Sequence, residues 1–127
     1  MSRDIKNLGP DLLKAIVKES NRITLDMGDK LTRTTPVDTG FAAASWIPSV
    51  ASPAKGVGGA PGSPNTAAAS AGQAQVATNT NLTTLHVTNN VSYIQKLNDG
   101  HSEQQPALFI ERAIKSTVEE ANRRNIR

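Results

Sequence analysis

Apolar residues recur along this chain with two periods, and the change between them divides it. From Gly9-Pro10-Asp11 onward, Leu13, Ile16, Ser20, Ile23, Met27 and Leu31 follow at spacings of three and four, one stripe along a helix. Lys14, Lys18, Glu19, Arg22, Asp26 and Asp29 fall mainly elsewhere on the wheel. Proline opens the helix at little cost, because its missing N–H would have no intrahelical acceptor there. The helix is expected to run to about Arg33, about 34 Å at 1.5 Å per residue. Pro36 ends it by disfavouring helical geometry at Thr35.

Pro36-Val37-Asp38-Thr39-Gly40 then reads as a turn, with proline fixing one dihedral and glycine permitting positive φ. Phe41 to about Val50 is expected to be a strand, Phe41, Ala43, Ser45 and Ile47 on one face and Ala42, Ala44 and Trp46 on the other. Small residues on both faces imply close approach of another backbone or helix. Pro48 places the end of this strand at an edge or a bulge. Ser52–Asn65, with prolines 53, 61 and 64 and glycines 56, 58, 59 and 62, reads as loop, flexible or ordered against a neighbour.

Thr66–Thr78 predicts a small-residue helix with Thr66 as its cap, although Gly72 in its middle costs about 1 kcal/mol. Thr83–Thr88 alternates as a half-buried strand. Val91–Leu97 brings Tyr93, Ile94 and Leu97 together over a turn and a half of helix, and Asn98-Asp99-Gly100 closes it. Pro106 starts the last helix. Its buried stripe is expected at Ile110, Ala113, Ile114, Thr117, Val118 and Ala121, with Arg112, Lys115, Glu119 and Arg123 wet. The economical assembly is an α+β fold: a long N-terminal helix and a C-terminal helix packed on a small, mainly antiparallel sheet, with a long Gly/Pro/Ala-rich loop. The whole chain, 1–127, is expected to be a single domain.

Composition sharpens this picture. Of 127 residues 37% are hydrophobic, many of them alanine, and the aromatics are only Phe41, Trp46, Tyr93 and Phe109. A core so poor in large side chains is marginal alone, and partner surfaces are the usual remedy. Without cysteine there is no disulfide framework and no thiolate metal site. No apolar run is long enough for a membrane span, and the first residues carry no signal-peptide apolar region, so a cytoplasmic site of synthesis is expected. Between Asp38 and Gln95 the only charged residue is Lys55. Such an uncharged middle faces no strong field or is covered by neighbours.

Candidate chemistry is sparse. Asp38-Thr39-Gly40 matches the tripeptide that carries the catalytic aspartate of aspartic proteases, whose chemistry needs two such groups sharing a proton on a buried floor. Here Pro36-Val37 and the bulky Phe41 flank it, and a turn wants Asp and Gly for backbone reasons alone. His86 and His101 are the only histidines; Asp99, His101 and Glu103 cluster in sequence on a tight turn, short of a metal-ligand set. Nucleophile, base and orienter cannot be assembled, so the protein is expected to be no enzyme and to need no cofactor. Phe41, Trp46 and Tyr93 lack the interleaved cations of a single-strand stacking platform. Arg123, Arg124 and Arg127 admit a reading as a small basic DNA-binding module, yet also suit a helix C-terminus.

Two stretches carry a resemblance. Thr35-Pro36-Val37-Asp38-Thr39-Gly40, followed by a small-residue segment with Ser45-Trp46, resembles the T-P-V-D-T-G-x-x-x-x-S-W motif of tailed-phage head–tail connector and tail-component proteins. Leu85 to Ile94, reading LHVTNNVSYI, resembles that family's strand, Asn and Tyr segment. Leu97-Asn98-Asp99-Gly100-His101-Ser102 with Gln104-Gln105-Pro106-Ala107 resembles its L-E-x-G-x-S-x-Q-A-P. Asn98-Asp99 replaces a common acidic-aromatic pair, and Phe41 a common arginine or aliphatic residue. The resemblance implies a structural virion protein of the neck, either a ring joining the portal, adaptor and stopper stack to the tail or the tail terminator ring itself. It implies a homo-oligomeric ring, usually a hexamer, that contacts adjacent neck and tail proteins while DNA passes through the lumen without sequence-specific binding. Localisation would be the virion, after assembly in the host cytoplasm. In that reading Phe41, Trp46, Tyr93 and His101 are packing or interface residues, while Pro36, Asp38, Gly40, Gly100 and Pro106 set chain direction.

Overall fold

A computed structural model of the chain describes residues 5–36, 40–100 and 108–125. The α+β class holds: a long N-terminal helix and a C-terminal helix accompany a small antiparallel sheet of two strands. Helix α1 spans Ile5–Thr34, so Pro10 lies inside it rather than at its start. Proline has a φ that suits a helix, and early in α1 it forfeits a single backbone bond in an exposed stretch. Strands β1 (Ile47–Val50) and β4 (Leu85–Thr88) pair antiparallel in the register Ile47↔Thr88, Pro48↔Val87, Ser49↔His86, Val50↔Leu85. Helix α3 is Ala67–Ala77 and α5 is Phe109–Asn125.

The expected strand from Phe41 to Val50 is only half a strand. Phe41–Ala44 forms the short helix α2, and pairing starts at Ile47. Gly40, at φ 73°, turns the chain into α2. The alanines favour helix, and the Ser45 hydroxyl donates to the Phe41 carbonyl at 2.7 Å, holding the turn closed. The small residues serve the close approach that their size implied. A Cβ on Gly58 would collide with the Ala44 carbonyl, and one on Gly72 with the Pro48 carbonyl oxygen. Gly72 is therefore what lets α3 lie directly on β1, and the loss of helix propensity there is the cost of that contact.

The proline-rich segment also departs from expectation. Gly59–Ala60 and Ser63–Pro64 pair as a small exposed hairpin, β2 and β3. The segment before it is tied to its own chain: the Asn90 amide donates to the Ala54 and Gly56 carbonyls at 2.8 and 3.1 Å, and the Gly58 N–H donates to Ser45 Oγ at 2.9 Å. It orders on its own body and needs no neighbour to do so.

The core is thin. Leu31, Trp46, Phe109 and Ala113 form one buried cluster; Phe41, Ala42 and Val91 form another. Ile94 and Leu97, from the short helix α4 (Ile94–Asn98), pack against both. Helix α5 runs antiparallel to α1, as Phe109 packs by Leu31 while Arg124 reaches Glu19. Its buried line is Phe109, Ala113, Thr117 and Ala121, at every fourth position, and not the wider stripe expected, since Ile114 and Val118 are exposed. Small side chains on that line let the two helices approach, and the Thr117 hydroxyl is satisfied by the Ala113 carbonyl. Only the C-terminal half of the α1 stripe is covered. Leu12 is 60% exposed, and Leu13 and Ile16 are each 45% exposed.

Charged groups close the helix pair from outside. Lys30 Nζ meets Glu120 Oε2 at 2.7 Å, and Arg124 meets Glu19 at 2.8 Å and Asp26 at 3.6 Å. The hydrogen bond from Lys30 holds the Glu120 carboxyl below its ordinary value near 4.5. A depressed carboxylate stabilises the fold above that ordinary value, and the contribution is lost as pH falls through the lower folded value. Acid unfolding of the wild type should therefore be steeper below about pH 4.5 than that of Glu120→Gln; identical pH profiles would contradict this. A paired test addresses the close approach. Gly72→Ala should destabilise by about 1–3 kcal/mol in urea unfolding through overpacking, whereas Gly9→Ala, with open space around it, should stabilise by about 0.5–1 kcal/mol.

Candidate functional site

The stretches singled out in the sequence meet in space as a structural joint. At the end of α1 the Trp46 indole N–H donates to Thr35 Oγ1 at 2.7 Å, and the Thr35 hydroxyl donates to the Leu31 carbonyl. Thr35, Pro36 and Trp46 are all buried. One residue chain thus ties the last turn of α1 to the residue before β1. The second stretch closes on the first: the Asn89 amide donates to the Ala42 carbonyl at 2.9 Å, and its Oδ1 accepts the Val91 N–H at 3.0 Å. Tyr93, half-buried, packs against the Phe41, Ala42 and Val91 cluster.

A third element completes the joint. Asn98, 3% exposed, accepts the Ile110 N–H on Oδ1 at 2.9 Å, donates to Glu111 Oε1 at 2.8 Å, and accepts the Leu108 N–H on its backbone carbonyl at 2.6 Å. Orphan groups of the first turn of α5 are thus satisfied by a side chain from α4. Gly100, at φ 96°, turns the chain out of α4, and Leu108, at φ 66°, turns it into α5. Both are exposed hinges rather than chemical groups.

Of the residues marked in the sequence, Pro36, Gly40, Phe41, Trp46, Tyr93 and Gly100 belong to this joint. Asp38, His101 and Pro106 lie outside the described residues, as do Glu103 and Arg127. His86 on β4 has one long contact, Nε2 to the Ala51 carbonyl at 3.4 Å, and Asp99 accepts from Gln95 at 3.0 Å. Among the described residues no group of three His, Asp or Glu side chains converges as a metal site would require. None of their helices is long and apolar enough to cross a membrane. Arg124 is engaged by Glu19 and Asp26.

Sequence reading missed the asparagines. Asn89, Asn90 and Asn98 each bridge two segments, and Asn21 exchanges amide bonds with Asn79 between α1 and the end of α3. Asparagine at turns was the available signal, since its short amide can serve a backbone donor and acceptor at once. A depression of about 530 Å³ lies beside that Asn21–Asn79 pair, lined also by Lys14 and Lys18. Comparison of the chain with protein-family models, with curated proteins and with solved structures gives no match.

Asn98→Ala strips the caps from α5 and should cost about 1–3 kcal/mol, and Trp46→Phe, which leaves the Thr35 oxygen without its donor, a similar amount. His86→Ala should stay within about 0.5 kcal/mol. Chemical denaturation of the purified variants measures all three. A large loss at His86 with none at Asn98 would contradict the assignment.

Proposed function

We propose that this chain is a structural protein of a tailed-phage virion, one subunit of a ring in the neck that joins head to tail or completes the tail. The observation that carries the reading is the meeting of its two motif stretches. Thr35 to Trp46 and Asn89 to Asn98, which separately resemble the connector and tail-component motifs, interlock through Trp46–Thr35 and Asn89–Ala42 into a single joint. The side chains of Thr35, Trp46, Asn89 and Asn98 in that joint are engaged with backbone groups or with other side chains, and Phe41 and Tyr93 with packing. Such a joint gives a rigid block and no reaction.

A rigid block with a thin core needs cover, and the unpartnered apolar residues lie on the two long helices. Leu12, Leu13 and Ile16 continue the α1 stripe beyond the end of α5, and Ile114 and Val118 flank the buried line of α5. These two patches differ, so a contact between one patch and the other on the next copy is heterologous, and a heterologous contact whose rotation closes generates a ring. The proline-rich hairpin, tied to its own body, takes a secondary place in this contact.

Deletion of the gene from the phage should yield filled heads and tails that fail to join, or over-long tails, in electron micrographs of the lysate. Unjoined parts indicate a neck ring and over-long tails a terminator. Normal infectious virions from the deletion would overturn the proposal.

A further inference from the structure

Three cations run along the side of α1 that faces away from Ile16: Lys14, Lys18 and Arg22, each four residues after the last and each exposed. At 1.5 Å of rise per residue they form a row about 12 Å long. Among the described residues none of the three has an ion-pair partner. We propose that this row binds the phosphate backbone of double-stranded DNA without reading its sequence.

The fold leaves the row uncompensated. Elsewhere on α1, Arg124 takes Glu19 and Asp26, and Arg33 takes Asp29, so Asp11 is the one described carboxylate of the helix without an ion pair. On the α3 side, Lys14 and Lys18 line the depression of about 530 Å³. The segment across it offers no acid, because Lys55 is the only charged residue between Asp38 and Gln95. The C-terminus of α3 contributes about half a negative charge, less than any one of the three cations carries. A helix face that meets only water is built differently, as α5 shows: Lys115, Glu119 and Arg123 keep the same four-residue spacing with alternating sign. Like charges at that spacing repel, so the α1 row gains from an anion that spans it.

The pattern selects the ligand. A duplex presents one negative charge per about 1.7 Å of its axis, so a row of cations finds phosphates along it in any register. A single strand would call for aromatic platforms, and α1 contains no Phe, Tyr or Trp. A protein interface depletes lysine and centres on buried anchors, whereas all three of these cations are exposed. The row lies away from Ile16, so DNA binding here does not depend on the proposed ring.

Fluorescence anisotropy of a short labelled DNA duplex, titrated with the full chain over a range of salt concentrations, tests it. The slope of log affinity against log salt should be about −2.7 for three neutralised phosphates. Each of Lys14→Gln, Lys18→Gln and Arg22→Gln should reduce that slope by about 1 and weaken low-salt binding roughly tenfold, alike on two unrelated sequences. Lys55→Gln and Arg123→Gln, which remove the same charge elsewhere, should bind as the wild type does. The melting temperatures of the three α1 variants should not fall, because only like-charge repulsion is removed. No binding at low salt, or an equal loss in Lys55→Gln or Arg123→Gln, would overturn the proposal. So would a melting temperature lowered in the α1 variants with binding intact, which would assign the cations to the end of α3. Binding to polyglutamate or to phosphatidylserine vesicles as tight as to the duplex would assign the face to an acidic protein or a membrane, and would overturn it too.

Discussion

The fold hangs on one relay: the Trp46 indole donates to Thr35, and Thr35 donates to the last turn of α1. Between these two residues in sequence lie Pro36, the left-handed Gly40 and the short helix α2. Without a fixed point the sheet would have no set position against the helix. The relay supplies it with buried, fully used polar groups, which are costly to leave unpaired and so define a single arrangement. The second half of the chain then closes on that point through Asn89, and α5 closes on the second half through Asn98.

Around this joint the packing works by closeness rather than bulk. Gly72 on β1, Gly58 on α2, and Ala113, Thr117 and Ala121 along α1 bring backbones together where larger side chains would hold them apart. Little large apolar surface is left to bury, and part of what exists remains outside, at Leu12, Leu13 and Ile16. A chain packed this way keeps its buried hydrogen bonds at its centre and leaves apolar surface along α1 uncovered.

Much of this was legible in the sequence, and the failures have physical causes. The long helices follow from their 3.6-residue period and α3 from its alanines, but the expected Thr66 cap makes no side-chain bond; Asn65 Oδ1 accepts the Ala67 N–H instead, at 2.8 Å. The close approach was legible in small residues, although its sign was not: Gly72 looked like a weakness in a helix and is a contact surface. The strand expected from Phe41 was half wrong because alternating alanines do not distinguish faces, and a left-handed glycine with a serine back-bond decided for helix. The expected stripe on α5 is too wide, because period alone cannot tell a residue on the contact line from one beside it, and the stripe on α1 too long, because it continues past the end of α5. Within the joint, Trp46, Phe41 and Gly40 stood out by residue type, whereas Thr35 and the asparagines did not. Their role depends on which carbonyls lie within reach, and only the assembled fold sets that.

The proposal of a ring requires another copy of the chain to cover the exposed apolar residues of α1. Mass photometry or sedimentation of the purified protein against concentration, for the wild type and for Ile16→Asp, asks this directly. The prediction is a closed oligomer of defined mass for the wild type and monomers for Ile16→Asp, with an unchanged far-ultraviolet spectrum because Ile16 touches little of its own fold. A wild-type protein that stays monomeric at every concentration, also when mixed with head or tail particles, would contradict it.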